Sequence, residues 1–329
     1  MMRQLITDFP SQIEAAWANA NECRFMHDSF DAANVVITGL GGSGIGGKII
    51  SQLYQDEAKV PMVVNNDYTL PGFVSPSTLV IVSSYSGNTE ETIAAMEQAL
   101  AKGATVACIT SGGKAESLAL THNLDVIKVP GGQPPRSQFG YSAISLVKLL
   151  SVYGIISSDR FNELETLGAF LRNNQEDTIH RAEGLVKFLE DRIPIIYSEV
   201  KNEGVAIRWR QQLNENSKKL CWHHFYPEMN HNELVGWEGG DDRFAVLMMR
   251  SQDDHPRSNI RMNITEPMYL SKGAKVENIV ALGDSRAERV FDLIHLGDWL
   301  SLLLAETNHI DPVIITSIDL LKSALSKVE

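Results

Sequence analysis

Two loops carry the small and hydroxyl residues that anion binding requires. Gly39–Lys48 (GLGGSGIGGK) follows a β-branched apolar run and precedes a helical pattern, and six of its ten residues are glycine. Ser84–Thr89 (SYSGNT) follows a second such run and supplies the hydroxyls of Ser84, Ser86 and Thr89. Because the first turn of a helix presents unpaired N–H groups and the positive end of its dipole, both loops could hold a phosphate. The alternatives with nothing bound are a tight strand-to-helix turn at the glycine loop and helix capping by Ser86 or Asn88 at the serine loop.

The glycine loop alone fits two nucleotide-binding patterns. Glycines spaced as G-x-G-x-x-G from Gly39, with Asp67 further along, match the dinucleotide fingerprint. The P-loop pattern nearly matches too, but Ile49 follows Lys48 where a Ser or Thr hydroxyl must reach magnesium. That mismatch argues against a P-loop. The serine loop argues against a dinucleotide, because a compact group of hydroxyls suits a terminal phosphate monoester better than an extended pyrophosphate.

Three short polar motifs hold groups that could move protons or stabilise charge. Glu215 lies in an NENSK sequence near the end of a helical pattern, and a carboxylate there could remove and return a proton. His231 lies in NHNE, and imidazole has the intrinsic pKa of an acid that works near neutrality. Arg136 ends a PPR sequence and could stabilise developing negative charge. Taken singly, an exposed helical Glu, a turn-capping His and a surface Arg are equally good interpretations.

A metal site is the competing interpretation of the second half. His223, His224, His231 and Glu233 are all possible zinc ligands. However, adjacent residues of a strand point to opposite faces, so His223 and His224 cannot easily hold one ion. We therefore predict a site with no metal and no cofactor.

The motifs, taken together and in order, resemble the sugar-isomerase (SIS) domain family. GLGGSGIGG and SYSGNTEET each follow a strand pattern, and PPR, NENSK, NHNE and a late DPV…LK sequence come after them. Within that family the set is similar to the bifunctional phosphoglucose/phosphomannose isomerases, and the resemblance spans nearly the whole chain.

The resemblance implies an activity and a set of residues. The activity is aldose–ketose isomerisation of glucose 6-phosphate and fructose 6-phosphate, and also of mannose 6-phosphate, by proton transfer through a cis-enediol(ate). The implied catalytic residues are a base, a ring-opening acid, a further catalytic group and a stabiliser of the enediolate: Glu215, His231, Lys322 and Arg136. The implied substrate-binding residues are Gly42, Ser43, Ser84, Ser86, Thr89 and Arg136. Thr316 is the candidate for admitting the mannose epimer.

The resemblance also implies a homodimer in which His231 is supplied to the neighbouring subunit's site. Two alternatives stay open: an amino-sugar phosphate isomerase or deaminase of the same fold, and a non-catalytic sugar-phosphate sensor. The NENSK and NHNE motifs favour an enzyme, since a sensor needs neither a base nor an acid.

The elements that must position these residues alternate between strand and helix patterns. From Asn34 to about Gly154 the alternation predicts a five-stranded, doubly wound unit. A polar helical stretch over 158–192 follows, and the alternation then resumes. We predict an α/β protein of two SIS-type three-layer sandwiches with mainly parallel sheets, divided as 1–157 and 158–329. Residues 1–20 predict one short amphipathic helix.

The composition indicates which classes of binding partner and which cellular compartment to expect. The 329 residues carry a formal charge of −12 and no cluster of Lys and Arg. That argues against nucleic acid and anionic membrane, whose binding needs clustered basic residues. Three scattered cysteines, Cys23, Cys108 and Cys221, indicate reduced thiols. With neither a signal-peptide pattern nor an apolar stretch of membrane-spanning length, we expect a cytoplasmic protein that binds a small sugar phosphate.

Overall fold

The computed structural model describes residues 1–327, and its first half is built around a five-stranded parallel sheet with the strand order β2-β1-β3-β4-β5. The elements of this half are, in chain order, α1 (Met2–Thr7), α2 (Phe9–Glu22), β1 (Asn34–Thr38), α3 (Gly41–Leu53), β2 (Met62–Asn65), β3 (Thr78–Ser84), α4 (Glu90–Ala101), β4 (Thr105–Thr110), α5 (Gly113–Thr121), β5 (Asp125–Lys128) and α6 (Phe139–Val152). A 3₁₀ turn, Pro135–Gln138, precedes α6. The central strands are rich in β-branched residues and buried, as helices cover both faces of the sheet.

The second half is built around a four-stranded parallel sheet with the order β7-β6-β8-β9. Its elements are α7 (Ser158–Asn162), α8 (Leu167–Asn173), α9 (Gln175–Leu189), β6 (Ile193–Glu199), α10 (Glu203–Ser217), β7 (Trp222–Tyr226), α11 (Glu233–Gly236), β8 (Phe244–Arg250), α12 (Pro256–Ser271), β9 (Lys275–Val280), α13 (Arg286–Thr307) and α14 (Thr316–Leu325). Together the two parallel sheets confirm the predicted α/β class. The last two positions of the predicted second domain, Val328 and Glu329, lie outside the described residues.

Two helices depart from the sequence expectations. The single helix predicted over residues 1–20 is wrong: α1 and α2 are separate and meet at Asp8, where the backbone leaves helical geometry. No helix was assigned over residues 256–271, where α12 forms although it contains Pro267 and is largely polar.

The two halves share one continuous apolar core. Helix α10 packs on α13 and also on α3, and α2 of the first half packs on α8 of the helical connection. Trp209 of α10 is almost fully buried and donates from Nε1 to the carbonyl of Leu293 in α13 at 2.7 Å. This packing holds α10 between α13 and α3 of the first half.

The strand order of the first sheet determines where its loops converge. From β1 the chain runs to β2 on one side, and β3 pairs with β1 on the other side. The crevice outside the carboxyl ends of β1 and β3 is therefore the topological switch point, the usual ligand position in open α/β sheets. Both the glycine loop and the serine loop begin there. Within residues 1–327, no helix is long and apolar enough to cross a membrane.

Candidate functional site

The glycine loop and the serine loop touch at the switch point. Ser43, in the first turn of α3, accepts a hydrogen bond at its Oγ from the backbone N–H of Tyr85, at 3.1 Å. Ser84 is the last residue of β3 and is buried, and its Oγ donates to Oγ1 of Thr89 at 3.4 Å. Three of the predicted substrate-binding hydroxyls thus come together at one end of the sheet.

The serine loop keeps its helix start uncapped by side chains. Ser86 is exposed and its Oγ accepts from the N–H of Asn88 at 3.3 Å, which closes a local turn. Asn88 in turn accepts at Oδ1 from the N–H of Lys114, so it serves α5 and not α4. Thr89 precedes α4 and makes no side-chain cap to it. The first-turn N–H groups of α4 are therefore left without the side-chain acceptor that the capping alternative requires.

The glycine loop also contacts the segment that carries Arg136. A Cβ added to Gly42 would lie 3.1 Å from the carbonyl oxygen of Pro135 and 3.2 Å from the backbone of Arg136. A side chain at position 42 would push the two segments apart, so glycine is required for this close approach.

Arg136 is the residue that joins the two halves at the site. It is 4% exposed, and its Nε donates to Oδ1 of Asn216 at 2.8 Å. Its Nη1 lies 3.3 Å from Oε2 of Glu215, and its Nη2 donates to the carbonyl of Pro312 at 2.5 Å. Burial lowers the pKa of the Arg136 guanidinium, and the Glu215 carboxylate opposes that shift. An arginine in this setting stays charged, because its unperturbed pKa is so high.

Glu215 lies in the last turn of α10 and borders a cavity. Its side chain is 28% exposed. The cavity has a volume of about 400 Å³ and is lined by Asn214, Glu215, Lys218 and the segment from Ile314 to Ile318. Thr316, the candidate for epimer selection, lies in that segment. The cavity volume is within the range of small-molecule sites.

Lys218 links the end of α10 to the segment that precedes α14, on the two sides of this cavity. From the sequence it was assigned no role of its own. It ends α10 in a left-handed conformation with φ of 52°. Its Nζ donates to the carbonyl of Glu215 at 2.7 Å and to that of Asp311 at 3.0 Å. Burial and the neighbouring Arg136 cation lower the pKa of Lys218, whereas Asp311 and Glu215 oppose this. The signal available in sequence was a lysine at a helix C-terminus, where free carbonyls need donors.

A buried ion pair holds the rest of α10 in place. Nη2 of Arg208 donates to both carboxylate oxygens of Asp298 in α13, at 2.9 and 2.7 Å, and to the carbonyl of Arg136 at 3.2 Å. Gln212 donates to the same carboxylate at 2.7 Å. Burial raises the pKa of Asp298, and the Arg208 cation opposes that shift. Through the bond from Arg208 to its carbonyl, this cluster holds the backbone of Arg136 in place. No local sequence pattern indicated these residues.

Two of the predicted catalytic residues are not brought to Glu215 within the chain. His231 is exposed on a 3₁₀ turn, Glu228–His231, which follows the edge strand β7. Lys322 is exposed on α14. Across residues 1–327, no hydrogen bond or salt bridge joins either side chain to Glu215, Arg136 or the serine loop.

The residues of the metal alternative are dispersed. His223 is partly buried, and burial lowers its pKa to about 4. Nδ1 of His224 accepts from the backbone N–H of Phe225 at 2.8 Å. In the part of the chain that the structure describes, no group of three or more His, Cys, Asp or Glu side chains is arranged to hold a metal ion.

The molecule consists of two α/β sandwiches with parallel sheets, and the serine loop, which is suited to binding an anion, lies at the switch point of the first sheet. These features define a protein built from SIS domains. The SIS domain model matches residues 30–146, and the model for the bacterial phospho-glucose isomerase C-terminal SIS domain matches residues 179–325. The fold is similar to that of tagatose-6-phosphate ketose/aldose isomerase from Escherichia coli, with a TM-score of 0.72, 18% identity and 95% of each chain covered.

Sequence relatives narrow the class further. The chain is 38% identical to the bifunctional phosphoglucose/phosphomannose isomerase of Caldicellulosiruptor bescii, with 100% of both chains covered. It is 36% identical to the protein of that name from Aquifex aeolicus, over 89% of this chain and 90% of the relative. The chain belongs to the family of bifunctional phosphoglucose/phosphomannose isomerases.

Proposed function

We propose that this protein interconverts glucose 6-phosphate and fructose 6-phosphate, and also accepts mannose 6-phosphate. The observation that supports the proposal is the contact between Glu215 and Arg136, in which a carboxylate lies beside a buried cation. The family relatives are named for the same activities. A sensor would have no use for such a pair.

The phosphate is assigned to the serine loop. Ser84, Ser86 and Thr89 offer hydroxyls, and the uncapped start of α4 offers N–H groups and the positive end of the helix dipole. Gly42 and Ser43 line the adjoining helix start, where backbone can approach the sugar closely. Binding at this end would direct the carbon chain of the sugar toward Arg136 and Glu215.

The proposed reaction consists of ring opening, proton transfer from C2 to C1 and stabilisation of the negative charge that develops between these transfers. His231 protonates the ring oxygen while the C1 hydroxyl gives up its proton to water, which opens the ring to the aldehyde. Glu215 then removes the proton from C2 of the aldose, which leaves a cis-enediolate, and returns it to C1 as the O2 proton passes to O1 and the ketose forms. Arg136 stabilises the enediolate oxygen, because its cation is already buried and needs little reorganisation. Lys322 serves as a further catalytic group and Thr316 as the residue that admits the mannose epimer.

We propose further that the active unit is a homodimer and that His231 completes the site of the neighbouring subunit. His231 is exposed and lies apart from the Glu215 cavity of its own chain. A two-fold pair would bring each histidine to the opposite site.

The test is an assay that couples glucose 6-phosphate formation from fructose 6-phosphate to NADPH production, with a parallel assay from mannose 6-phosphate. Turnover of both substrates is expected. Activity confined to glucosamine 6-phosphate would identify an amino-sugar enzyme, and binding without turnover of any of these would identify a sensor. Either result would overturn the proposal.

A further inference from the structure

The exposed turn that carries His231 is fixed on both sides. Met229, two residues earlier, is fully buried in an apolar cluster that includes Tyr226 of β7 and Trp237. Glu233, two residues later, is hydrogen-bonded to the body of the domain. Within the described chain, the His231 side chain itself accepts or donates no hydrogen bond. The His231 side chain is therefore exposed to solvent on a turn whose backbone is held in place.

The bonds of Glu233 come from two strands and converge on one atom. Tyr197 of β6 donates its hydroxyl to Oε1 at 2.5 Å, and Trp222 of β7 donates its Nε1–H to the same oxygen at 3.0 Å. Trp237 donates from Nε1 to the hydroxyl oxygen of Tyr197 at 2.9 Å. A chain of donors therefore runs from Trp237 through Tyr197 to the carboxylate.

Tyr197 is suited to act as a permanent donor. It is fully buried, and burial together with the Glu233 carboxylate raises its pKa far above the ordinary tyrosine value. Its hydroxyl therefore stays protonated near neutral pH. The bond to Glu233 is charge-assisted, which makes it shorter and stronger than a bond between neutral groups.

We propose that Glu233, held by Tyr197 and Trp222, is a positioning residue that fixes His231 for ring opening. The inference rests on the proposed role of His231. The Glu233 carboxylate points at the strands of its own domain. Glu233 therefore acts on His231 through the turn and does not contact the substrate. An acid displaced by about 1 Å can lose on the order of 10²-fold in rate, so the turn has to be rigid.

The geometry supplies a matched pair of variants. In Glu233→Gln, the amide oxygen can occupy the place of Oε1 and accept from both donors, because neither bond uses Oε2. In Glu233→Ala, both bonds are lost. A positioning role predicts that the Gln variant keeps most activity and the Ala variant does not. A direct acid or base role predicts that both variants fail.

Ring opening is measured apart from isomerisation by following exchange between the α and β anomers of glucose 6-phosphate with NMR. For Glu233→Ala we expect anomer exchange and kcat of isomerisation to fall together by about 10–100-fold, with KM within about twofold of wild type. Tyr197→Phe, which removes a single donor, should lie between wild type and Glu233→Ala. It also provides the comparison if the Ala variant does not fold.

The outcomes separate this inference from the proposed function. If His231→Ala loses anomer exchange while Glu233→Ala and Tyr197→Phe keep wild-type rates, the positioning role is wrong and the function stands. If His231→Ala itself exchanges anomers at the wild-type rate, the assignment of His231 fails, and the inference falls with it. Loss of activity in Glu233→Gln equal to that in Glu233→Ala would also overturn the positioning role.

Discussion

Arg136 and Glu215 are 79 positions apart in sequence, and their side chains meet at 3.3 Å where the two halves of the molecule join. The pairing has a consequence for the reaction. In the proposed reaction, Glu215 becomes neutral when it takes a proton, and at the same moment negative charge appears on the sugar oxygens. Arg136 therefore exchanges one anionic neighbour for another, and the charge balance of a buried site is preserved through the step.

Glu215→Gln should abolish turnover and leave binding nearly intact. The amide keeps the shape and can still contact Arg136, but it cannot accept the C2 proton. We expect kcat to fall by on the order of 10²–10⁴-fold or more, while the Kd for fructose 6-phosphate, measured by calorimetry, changes little. The exposed helical carboxylate Glu183 provides the control: Glu183→Gln should be wild type in both measurements. A Glu215→Gln enzyme with wild-type kcat would show that another group is the base.

Replacing Ser84 and Ser86 together by alanine should mainly raise KM. The phosphate is bound equally in the ground state and the transition state, so its contacts provide uniform binding. Ser83→Ala is the control, since Ser83 is buried beside the loop and, within the described residues, its hydroxyl has no hydrogen-bond partner. If the double variant keeps its KM but loses thermal stability, the hydroxyls serve the fold of the loop and not a ligand.

Much of the fold was accessible from sequence because its signals are local. The β-branched runs that predicted strands are buried by helices on both sides, and the glycine and serine loops follow directly from two of them. The contact between Arg136 and Glu215 was not accessible, because it depends on how α10 of the second half packs on α3 of the first half. Helix α12 shows a limit of local rules, because Pro267 normally argues against a helix interior and yet Pro256–Ser271 is helical.

Lys218→Met should loosen the C-terminal segment from the cavity. The ammonium group donates to the carbonyls of Glu215 and Asp311, and methionine keeps an unbranched side chain of nearly the same length without the donors. We expect kcat/KM to fall by about 10-fold and α14 to become more sensitive to limited proteolysis. Lys219→Met is the matched control, because within residues 1–327 the only hydrogen bond of the Lys219 ammonium group is to the carbonyl of Asp191, which is not part of the cavity. Equal effects of the two substitutions would contradict a specific role for Lys218.

Asp254 should make stability depend on pH. Burial, reinforced by Glu199, raises its pKa to about 6, and its Oδ2 accepts from the N–H of Ser251 at 2.8 Å. Since the pKa in the folded state exceeds the unfolded value of about 3.9, folding favours the protonated form. Ionising the buried Asp254 carboxyl therefore lowers the free energy of unfolding. This loss of stability is absent below about pH 4 and complete above about pH 6.

Asp254→Asn removes the ionisable group, so it restores the stability that wild type loses at the higher pH values. The variant should be more stable than wild type by up to about 3 kcal/mol at pH 8, and the difference should shrink toward zero near pH 4. Urea denaturation at the two pH values measures it. A difference that is the same at pH 4 and pH 8 would mean that the Asp254 carboxylate does not titrate as described.

A shared site can be tested by mixing two inactive variants, Glu215→Gln and His231→Ala. The two proteins are partly unfolded together and allowed to reassemble. If each site takes Glu215 from one chain and His231 from the other, every mixed dimer holds one doubly damaged site and one intact site. Random pairing makes about half of the dimers mixed, so about a quarter of the wild-type activity should return. If both residues of a site come from the same chain, no site in any dimer is intact, and nothing returns. Mass spectrometry of differently tagged chains shows whether mixed dimers have formed, and their presence without activity would rule out the shared site.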